Sequence, residues 1–290
     1  MIRILVTGSK GQLGSEFQRI ANLYQDYEFT FTDIDELDIT DFECVRKFIG
    51  NETFDYCINC AGYTAVDKAE DEVEKAFLLN AYAVENLAKG CEEFNVRLIH
   101  ISTDYVFNGN ASKPYKETDA VSPQSVYGHS KLKGEEAVIS SSKKAIIIRT
   151  AWLCSIFGNN FVKTMLKLGA ERDQIKVVHD QLGSPTFSND LAKAIMQMIL
   201  SESGNTDNEI YHYSSLGEIS WFTFAKQIME MAKLECEVEP IGTQDFPTKA
   251  KRPAYSVLNK GKIIQDYHLK IPDWKESLLT LIKELRNIKS

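Results

Sequence analysis

Little in this sequence supports an extracellular, membrane or nucleic-acid reading. Seven prolines and six cysteines are spread over 290 residues, so neither a proline-rich linker nor a disulfide framework organises the chain. The cysteines stand at 44, 57, 60, 91, 154 and 236, and Cys57 with Cys60 forms one C-x-x-C that has no second pair to complete a four-ligand zinc set. In the apolar stretch 56–61 these two read as small, reduced thiols at a strand end. Residues 1–6 are too short an apolar run for a signal-peptide core, and no later stretch approaches the roughly 20 residues that cross a bilayer. Positive charge is also scarce: 33 Lys and Arg against 41 Asp and Glu leave a net charge of -8, which argues against a general phosphate-binding surface. The expectation is a cytoplasmic protein with no membrane or nucleic-acid partner.

What is present is the composition of an ordinary packed domain, 43% hydrophobic and 26% charged. A branched apolar run at 2–6 stops at Thr7-Gly8 and gives way to Leu13, Phe17 and Ile20 at helical spacing; a second strand follows at 29–32 and ends at Asp33. The alternation continues with strands at 56–59, 97–101 and 145–149, separated by long helical patterns such as 73–94. This predicts an α/β fold, a Rossmann-type doubly wound parallel sheet. After Arg149 the chain becomes loop-rich, with Gly158-Asn-Asn160, Asp180-Gln-Leu-Gly-Ser-Pro185 and a proline-containing stretch at 239–255. Two units are expected: a dinucleotide-binding domain over 1–150 and a smaller substrate domain over 151–290, with segments around 175–200 returning to the first. Helices at 190–200 and 222–232 carry plain apolar stripes suited to core packing.

Thr7-Gly8-Ser-Lys-Gly11-Gln12-Leu13-Gly14 places glycines three apart between the first strand and first helix. Glycine there permits a sharp turn and close approach of backbone to a pyrophosphate, while the helix start offers free N–H groups to the anion. Asp33, about twenty residues beyond, ends the second strand where a carboxylate can bind adenosine ribose hydroxyls, which favours NAD over NADP. Lys10 and Arg3, nearby in sequence, complicate that preference. Asp38-Ile39 at the next turn reads either as an adenine-side contact or as a solvated loop.

Tyr127-Gly-His-Ser-Lys131 sets a phenol and an ammonium at i and i+4, on one helix face. A neighbouring Lys⁺ favours the phenolate, so Lys131 is expected to lower the Tyr127 pKa toward the range useful for acid/base work. Ser102-Thr103-Asp104, ending a strand two dozen residues earlier, lies at the carboxyl edge where such sheets bind ligands, and Ser102 or Thr103 would hydrogen-bond the reacting oxygen. Trp152 reads equally as core packing or as an aromatic surface beside a pyranose or thymine ring. Arg252, with Lys249 and Lys251 at its sides, suits a diphosphate clamp because a guanidinium binds phosphate oxygens in a bidentate way.

Taken together, Gly8-Ser-Lys-Gly-Gln-Leu-Gly14, Asn59-Cys-Ala-Gly-Tyr-Thr-Ala-Val-Asp-Lys-Ala-Glu70, Ser102-Thr-Asp-Tyr-Val-Phe107, Tyr127-Gly-His-Ser-Lys131, Asp180-Gln-Leu-Gly-Ser-Pro-Thr186 and Arg252-Pro253 with Ser256 and Leu258 run nearly end to end. In them the chain resembles the extended short-chain dehydrogenase/reductase family, and within it the reductases of dTDP-4-dehydrorhamnose. The resemblance implies an NADH- or NADPH-dependent reduction of the C4 ketone of dTDP-4-dehydro-L-rhamnose, with Tyr127 as acid, Lys131 on the nicotinamide ribose and Thr103 as polarising hydroxyl. It further implies that Gln12, Leu13, Asp33, Asp38, Ile39, Ala61, Gly62 and Tyr63 line the cofactor, and that Thr103, Asp104, Trp152, Asn160, Gln181 and Arg252 meet a nucleotide sugar. Many members have alanine and histidine where this chain has Gly62 and Tyr63. Some place Mg²⁺ between carboxylates at a homodimer interface; Glu16, Asp190 and Glu284 are the nearest matches here, though such residues are ordinarily solvated.

Two rival readings stand beside this one. The first is another nucleotide-sugar ketoreductase or epimerase on the same scaffold, because fold does not fix function. The second is a non-catalytic, dinucleotide-binding regulatory subunit, since the resemblance extends to the regulatory subunit of methionine adenosyltransferase; retention of Thr103, Tyr127 and Lys131 weighs against it.

Overall fold

The first six strands and their helices follow the alternation of apolar periods. They run Ile2–Thr7 (β1), Gln12–Ile20 (α1), Tyr27–Thr32 (β2), Phe42–Asn51 (α2), Tyr56–Asn59 (β3), Val66–Ala69 (α3), Val73–Phe77 (α4), a single π turn at Leu78–Tyr82, Ala83–Glu93 (α5), Arg97–Thr103 (β4), Val126–Ser141 (α6), Ile146–Thr150 (β5) and Leu153–Cys154 (β6). Beyond these come Phe161–Glu171 (α7), Gln174–Val178 (β7), Leu182–Gly183 (β8), Thr186–Phe187 (β9), Ser188–Leu200 (α8), Glu209–His212 (β10), Ile219–Ser220 (β11), Trp221–Ala232 (α9), Glu237–Ile241 (β12), Gly261–Tyr267 (α10) and Trp274–Lys289 (α11). These elements belong to a computed structural model that describes residues 1–201 and 207–289. No helix among the described residues is long and apolar enough to cross a membrane.

The main sheet has six strands in the order β10-β5-β4-β3-β1-β2, every pair parallel. Strand alternation sends Ile4 and Val6 to one face and Leu5 to the other, and the same split separates Ile58 from Cys57 and Ile148 from Ile147. One layer packs Leu13, Phe17 and Ile20 of α1 with Leu191 and Ile195 of α8 and Ile263 of α10. The opposite layer packs Val45 and Ile49 of α2 with Val84 and Leu87 of α5 and Val138 of α6. Full burial of each such aliphatic side chain contributes about 1.5–3 kcal/mol. Two of the covering segments, α8 and α10, and the edge strand β10 all follow residue 150, so the sheet and one of its layers draw on the chain's second half. The other late elements form a separate core of Val162 and Met165 (α7), Ile175 and Val177 (β7), Phe224 and Ile228 (α9) and Leu278 and Ile282 (α11).

The chain moves from β1 to β2 on one side and returns to β3 on the other. The carboxyl ends of β1 and β3 therefore flank a crevice where the strand order switches.

Candidate active site

Gly8 follows β1 with φ +63° and lies so close to the next crossover that a β-carbon on it would stand 2.5 Å from the Ala61 nitrogen. A β-carbon on Gly14 would stand 2.3 Å from the Gly8 carbonyl oxygen, so α1 packs against the turn as only glycine allows. Gly11 caps α1 with no side-chain hydrogen bond, which leaves the first-turn N–H groups for an anion. These features open onto a cleft of about 300 Å³ that includes Thr7, Gly8, Gly11, Asp33, Asp38, Ile39, Ala61 and Gly62 in its lining. A nicotinamide dinucleotide fits this cradle: the close glycine packing makes room for a pyrophosphate, and Asp33 and Asp38 supply carboxylates to the lining that could accept from ribose hydroxyls.

Asp33 is held by two backbone amides, Ile34 N–H on Oδ1 at 2.9 Å and Lys10 N–H on Oδ2 at 3.0 Å. The Lys10 ammonium pairs with Asp35 at 2.6 Å on the same rim. Arg3 is removed from the question of cofactor choice, because it lies at the amino end of β1, bound to Glu28 and Glu52. Leu13 sends its side chain into the core beneath α1, and the Gln12 carboxamide accepts from Asn160 at 3.0 Å. Tyr63 is buried; its backbone N–H donates to Asn80 Oδ1 at 2.8 Å and its hydroxyl to Glu72 at 3.2 Å. Neither thiol of the C-x-x-C is bonded to another, and burial pushes the Cys60 thiol up.

Strand parity separates the two hydroxyls that the sequence leaves open. Ser102 donates to Glu135 at 2.5 Å within a fully buried pair with Arg149, so it is committed to the layer beneath α6. Thr103 emerges on the other face, donates to Asp104 at 3.0 Å and lies against the Tyr127 phenol. Ser125 caps α6 through Gly128 N–H at 3.1 Å, and Gly128 is required where a β-carbon would meet the Tyr105 carbonyl oxygen at 2.3 Å. Tyr127, one residue before that contact, is thereby fixed with its ring edge-on to Tyr105 at 5.4 Å.

The electrostatics differ from the sequence expectation. Burial pushes the Tyr127 phenol well above its ordinary value of 10.0, and Thr103 opposes this while Asp104 and Tyr105 add to it. Lys131 does not lower it, because Nζ turns to the Ile101 carbonyl at 2.6 Å and toward His100 at 3.4 Å. Burial brings Lys131 itself down to about 8. Asp104 rises to about 6 through burial, with Ser256 and Thr103 pulling the other way.

Since the folded pKa of Asp104, about 6, lies above its ordinary 3.8, its stabilising contribution is complete below about pH 4 and fades as pH rises through about 6. Asp104→Asn, which mimics the protonated carboxyl, should gain about 2–3 kcal/mol relative to the parent between pH 4.5 and 7.5. Chemical denaturation across that range checks it; a constant difference would show that Asp104 ionises in the folded protein at its ordinary value.

The expected substrate side is partly committed within the chain. Trp152 adopts φ +48°, stacks on Trp221 at 3.5 Å and covers Gly183, where a β-carbon would stand 2.7 Å from its ring. Asn160 caps α7 through Lys163 N–H and donates to the Ser155 carbonyl at 2.7 Å. Gln181 donates to Thr243 at 3.1 Å. Arg252 donates to Asp67 and, at 3.1 Å, to the Tyr105 hydroxyl; Lys249 pairs with Asp71. Asp67, Tyr105, Asn80 and His100 thus join the site, and their pairings across long sequence separations leave no local pattern to read.

Glu16, Asp190 and Glu284 do line one crevice, but they do not fit a cation. Arg19 bridges Glu16 and Glu284 at 2.7 and 2.8 Å, Ser155 donates to Glu16 at 2.7 Å and Ser277 to Asp190 at 2.5 Å. Among the described residues no group of three or more His, Cys, Asp or Glu could hold a metal ion.

A family model described as "RmlD substrate binding domain" matches residues 2–287. The dTDP-4-dehydrorhamnose reductase of Aggregatibacter actinomycetemcomitans is 41% identical over 288 residues, covering 96% of this chain and 97% of its own. The crystal structure of a dTDP-4-dehydrorhamnose reductase from Clostridium acetobutylicum superposes with a TM-score of 0.93 at 41% identity, covering 98% of this chain and all of that one. That of the Bacillus anthracis dTDP-4-dehydrorhamnose reductase in complex with NADP has a TM-score of 0.93 at 38% identity, with the same coverage.

Proposed function

We propose, from the premise that the chain belongs to the RmlD substrate binding domain family, that it is an NAD(P)H-dependent reductase converting dTDP-4-dehydro-L-rhamnose to dTDP-L-rhamnose. The observation that carries this reading is the meeting of cleft and catalytic helix. A β-carbon on the cleft-lining Gly62 would stand 3.9 Å from Lys131 Nζ, so the lysine end of the Tyr127–Lys131 pair lies directly behind the wall of the cavity that suits a dinucleotide. The bound nicotinamide supplies the hydride.

Tyr127 transfers its hydroxyl proton to the oxygen that becomes an alkoxide at C4; its raised pKa keeps the phenol protonated at neutral pH, as an acid in the reducing direction must be. Thr103 donates to the same oxygen and aligns it. Lys131 holds the nicotinamide ribose and restores charge balance as the phenolate forms. Asp104, whose Oδ2 is buried and has no hydrogen-bond partner of normal geometry among the described residues, takes a sugar hydroxyl. Asp33 binds the adenosine ribose and favours NADH, while Lys10 on the same rim offers a cation to a 2′-phosphate.

Arg252 receives the diphosphate by exchanging Asp67 for phosphate oxygens. Arg252→Ala should raise KM about tenfold to a hundredfold, the value of one or two charge-assisted bonds, with kcat within a few-fold. Steady-state kinetics decide this, and an unchanged KM removes Arg252 from the diphosphate.

The overall reading is tested by mixing purified protein with NADH or NADPH and enzymatically generated dTDP-4-dehydro-L-rhamnose, following absorbance at 340 nm and identifying the sugar. Oxidation with dTDP-L-rhamnose formed supports it and ranks the cofactors. Cofactor binding with no oxidation would move the assignment to another keto-sugar or to a regulatory role.

A further inference from the structure

His100 on β4 is fully buried beside the catalytic lysine, and the reaction above makes no use of it. Its hydrogen-bond polarity can be read from its neighbours. Ala61 N–H and the Thr7 hydroxyl both donate to Asn59 Oδ1, at 3.0 and 2.8 Å. That sets the Asn59 amide with Nδ2 toward the imidazole, 3.1 Å from Nδ1. An amide NH₂ only donates, so Nδ1 accepts, and the neutral ring carries its proton on Nε2, which faces Lys131 Nζ at 3.4 Å.

An ammonium opposite an N–H donor is a contact of like polarity, whereas a neutral amine presents its lone pair. Three observations agree with the amine. His100 is neutral, held far below its ordinary value chiefly by burial. Burial lowers Lys131 to about 8. Glu135, the charged group that faces Lys131 among the described residues, favours the ammonium but is itself neutralised by Arg149 at 2.6 Å.

We propose that His100 is a positioning residue for Lys131, the last donor in a one-directional chain from the Thr7 hydroxyl through Asn59 and His100, its Nε2–H holding the neutral amine beside the Ile101 carbonyl and losing that acceptor when Lys131 gains a proton. The chain begins on β1, directly before the glycine turn, and crosses β3 and β4 to α6. It therefore links the dinucleotide cradle to the lysine. Each bond polarises the next in a low-dielectric interior. The proposal rests on the reading that Lys131 serves Tyr127, but the direction of the chain does not depend on the substrate.

The test is ¹⁵N-histidine NMR of the cofactor-free protein between pH 6 and 9.5, with the His100 signals identified by their loss in His100→Gln. The expected result is an Nε2–H tautomer throughout, with shifts that move around pH 8 as Lys131 titrates and stay flat in Lys131→Met. An Nδ1–H tautomer, an imidazolium, or no Lys131-dependent movement overturns it. In turnover, His100→Gln keeps an N–H donor near the Nε2 position and should stay within about threefold of the parent kcat, while His100→Leu should lose about tenfold with KM and cofactor affinity unchanged. Equal losses in both variants also overturn it. A parent protein that reduces no keto-sugar would refute the function above while leaving the NMR result to stand or fall by itself.

Discussion

Tyr127→Phe is expected to lower kcat by about a hundredfold to ten-thousandfold, the contribution of a positioned general acid, while leaving NADPH affinity within about twofold. No neighbouring hydroxyl is placed to substitute. The Tyr105 phenol accepts from Arg252 at 3.1 Å, and Thr103, which exchanges its bond to Asp104 for one to the substrate oxygen, is an aliphatic alcohol too weakly acidic to give up its proton. Phenylalanine keeps the edge-on contact with Tyr105 and the packing against Tyr63, Ala69 and Ala76, so the loss is chemical rather than structural. Single-turnover oxidation of bound NADPH, with affinity measured by nicotinamide fluorescence, separates the two. Turnover near that of the parent would remove Tyr127 from the acid role.

Gly134→Ala is expected to destabilise the protein by about 2–3 kcal/mol, although an alanine in the middle of a helix ordinarily gains about 1 kcal/mol over glycine. The reversal comes from the crossing of α6 with the π turn at Leu78–Tyr82. A β-carbon at 134 would lie 2.1 Å from the Asn80 carbonyl oxygen, and the neighbour is backbone that cannot rotate away. The same displacement should weaken dinucleotide binding, because the Asn80 carboxamide holds both the N–H and the carbonyl of Tyr63, beside cleft-lining Gly62, at 2.8 and 3.0 Å. Urea denaturation and an NADPH titration measure both; a variant more stable than the parent would show that α6 can move aside without cost.

Much of this architecture is legible in the sequence. The glycine turn is readable because a strand, three spaced glycines and a helix are contiguous, and Tyr127 with Lys131 because four residues on a helix bring side chains to one face. Alternation of apolar periods is enough for the parallel sheet. What sequence could not supply were pairings between distant segments. Trp152 and Trp221 stack across 69 positions, and Arg252 meets Asp67 across 185. The choice between Ser102 and Thr103 required the face of β4, which adjacent residues in a strand do not share. The direction of the Lys131 side chain is likewise out of reach, because spacing gives proximity only and Nζ turns to the Ile101 carbonyl rather than to the Tyr127 phenol. Arg3 is near the glycines in number only, since a six-residue strand carries it to the far edge of the sheet.

The late arrival of β10 has a consequence for biosynthesis. Ile146–Thr150 pairs on one side with β4, and its other edge remains a row of unsatisfied amides until Glu209–His212 has been translated. Folding as the chain emerges must therefore pause with an open sheet edge, and the layer formed by α8 arrives only just before it. A nascent chain stopped before residue 209 should bind chaperones that recognise exposed strands, whereas the complete chain should not.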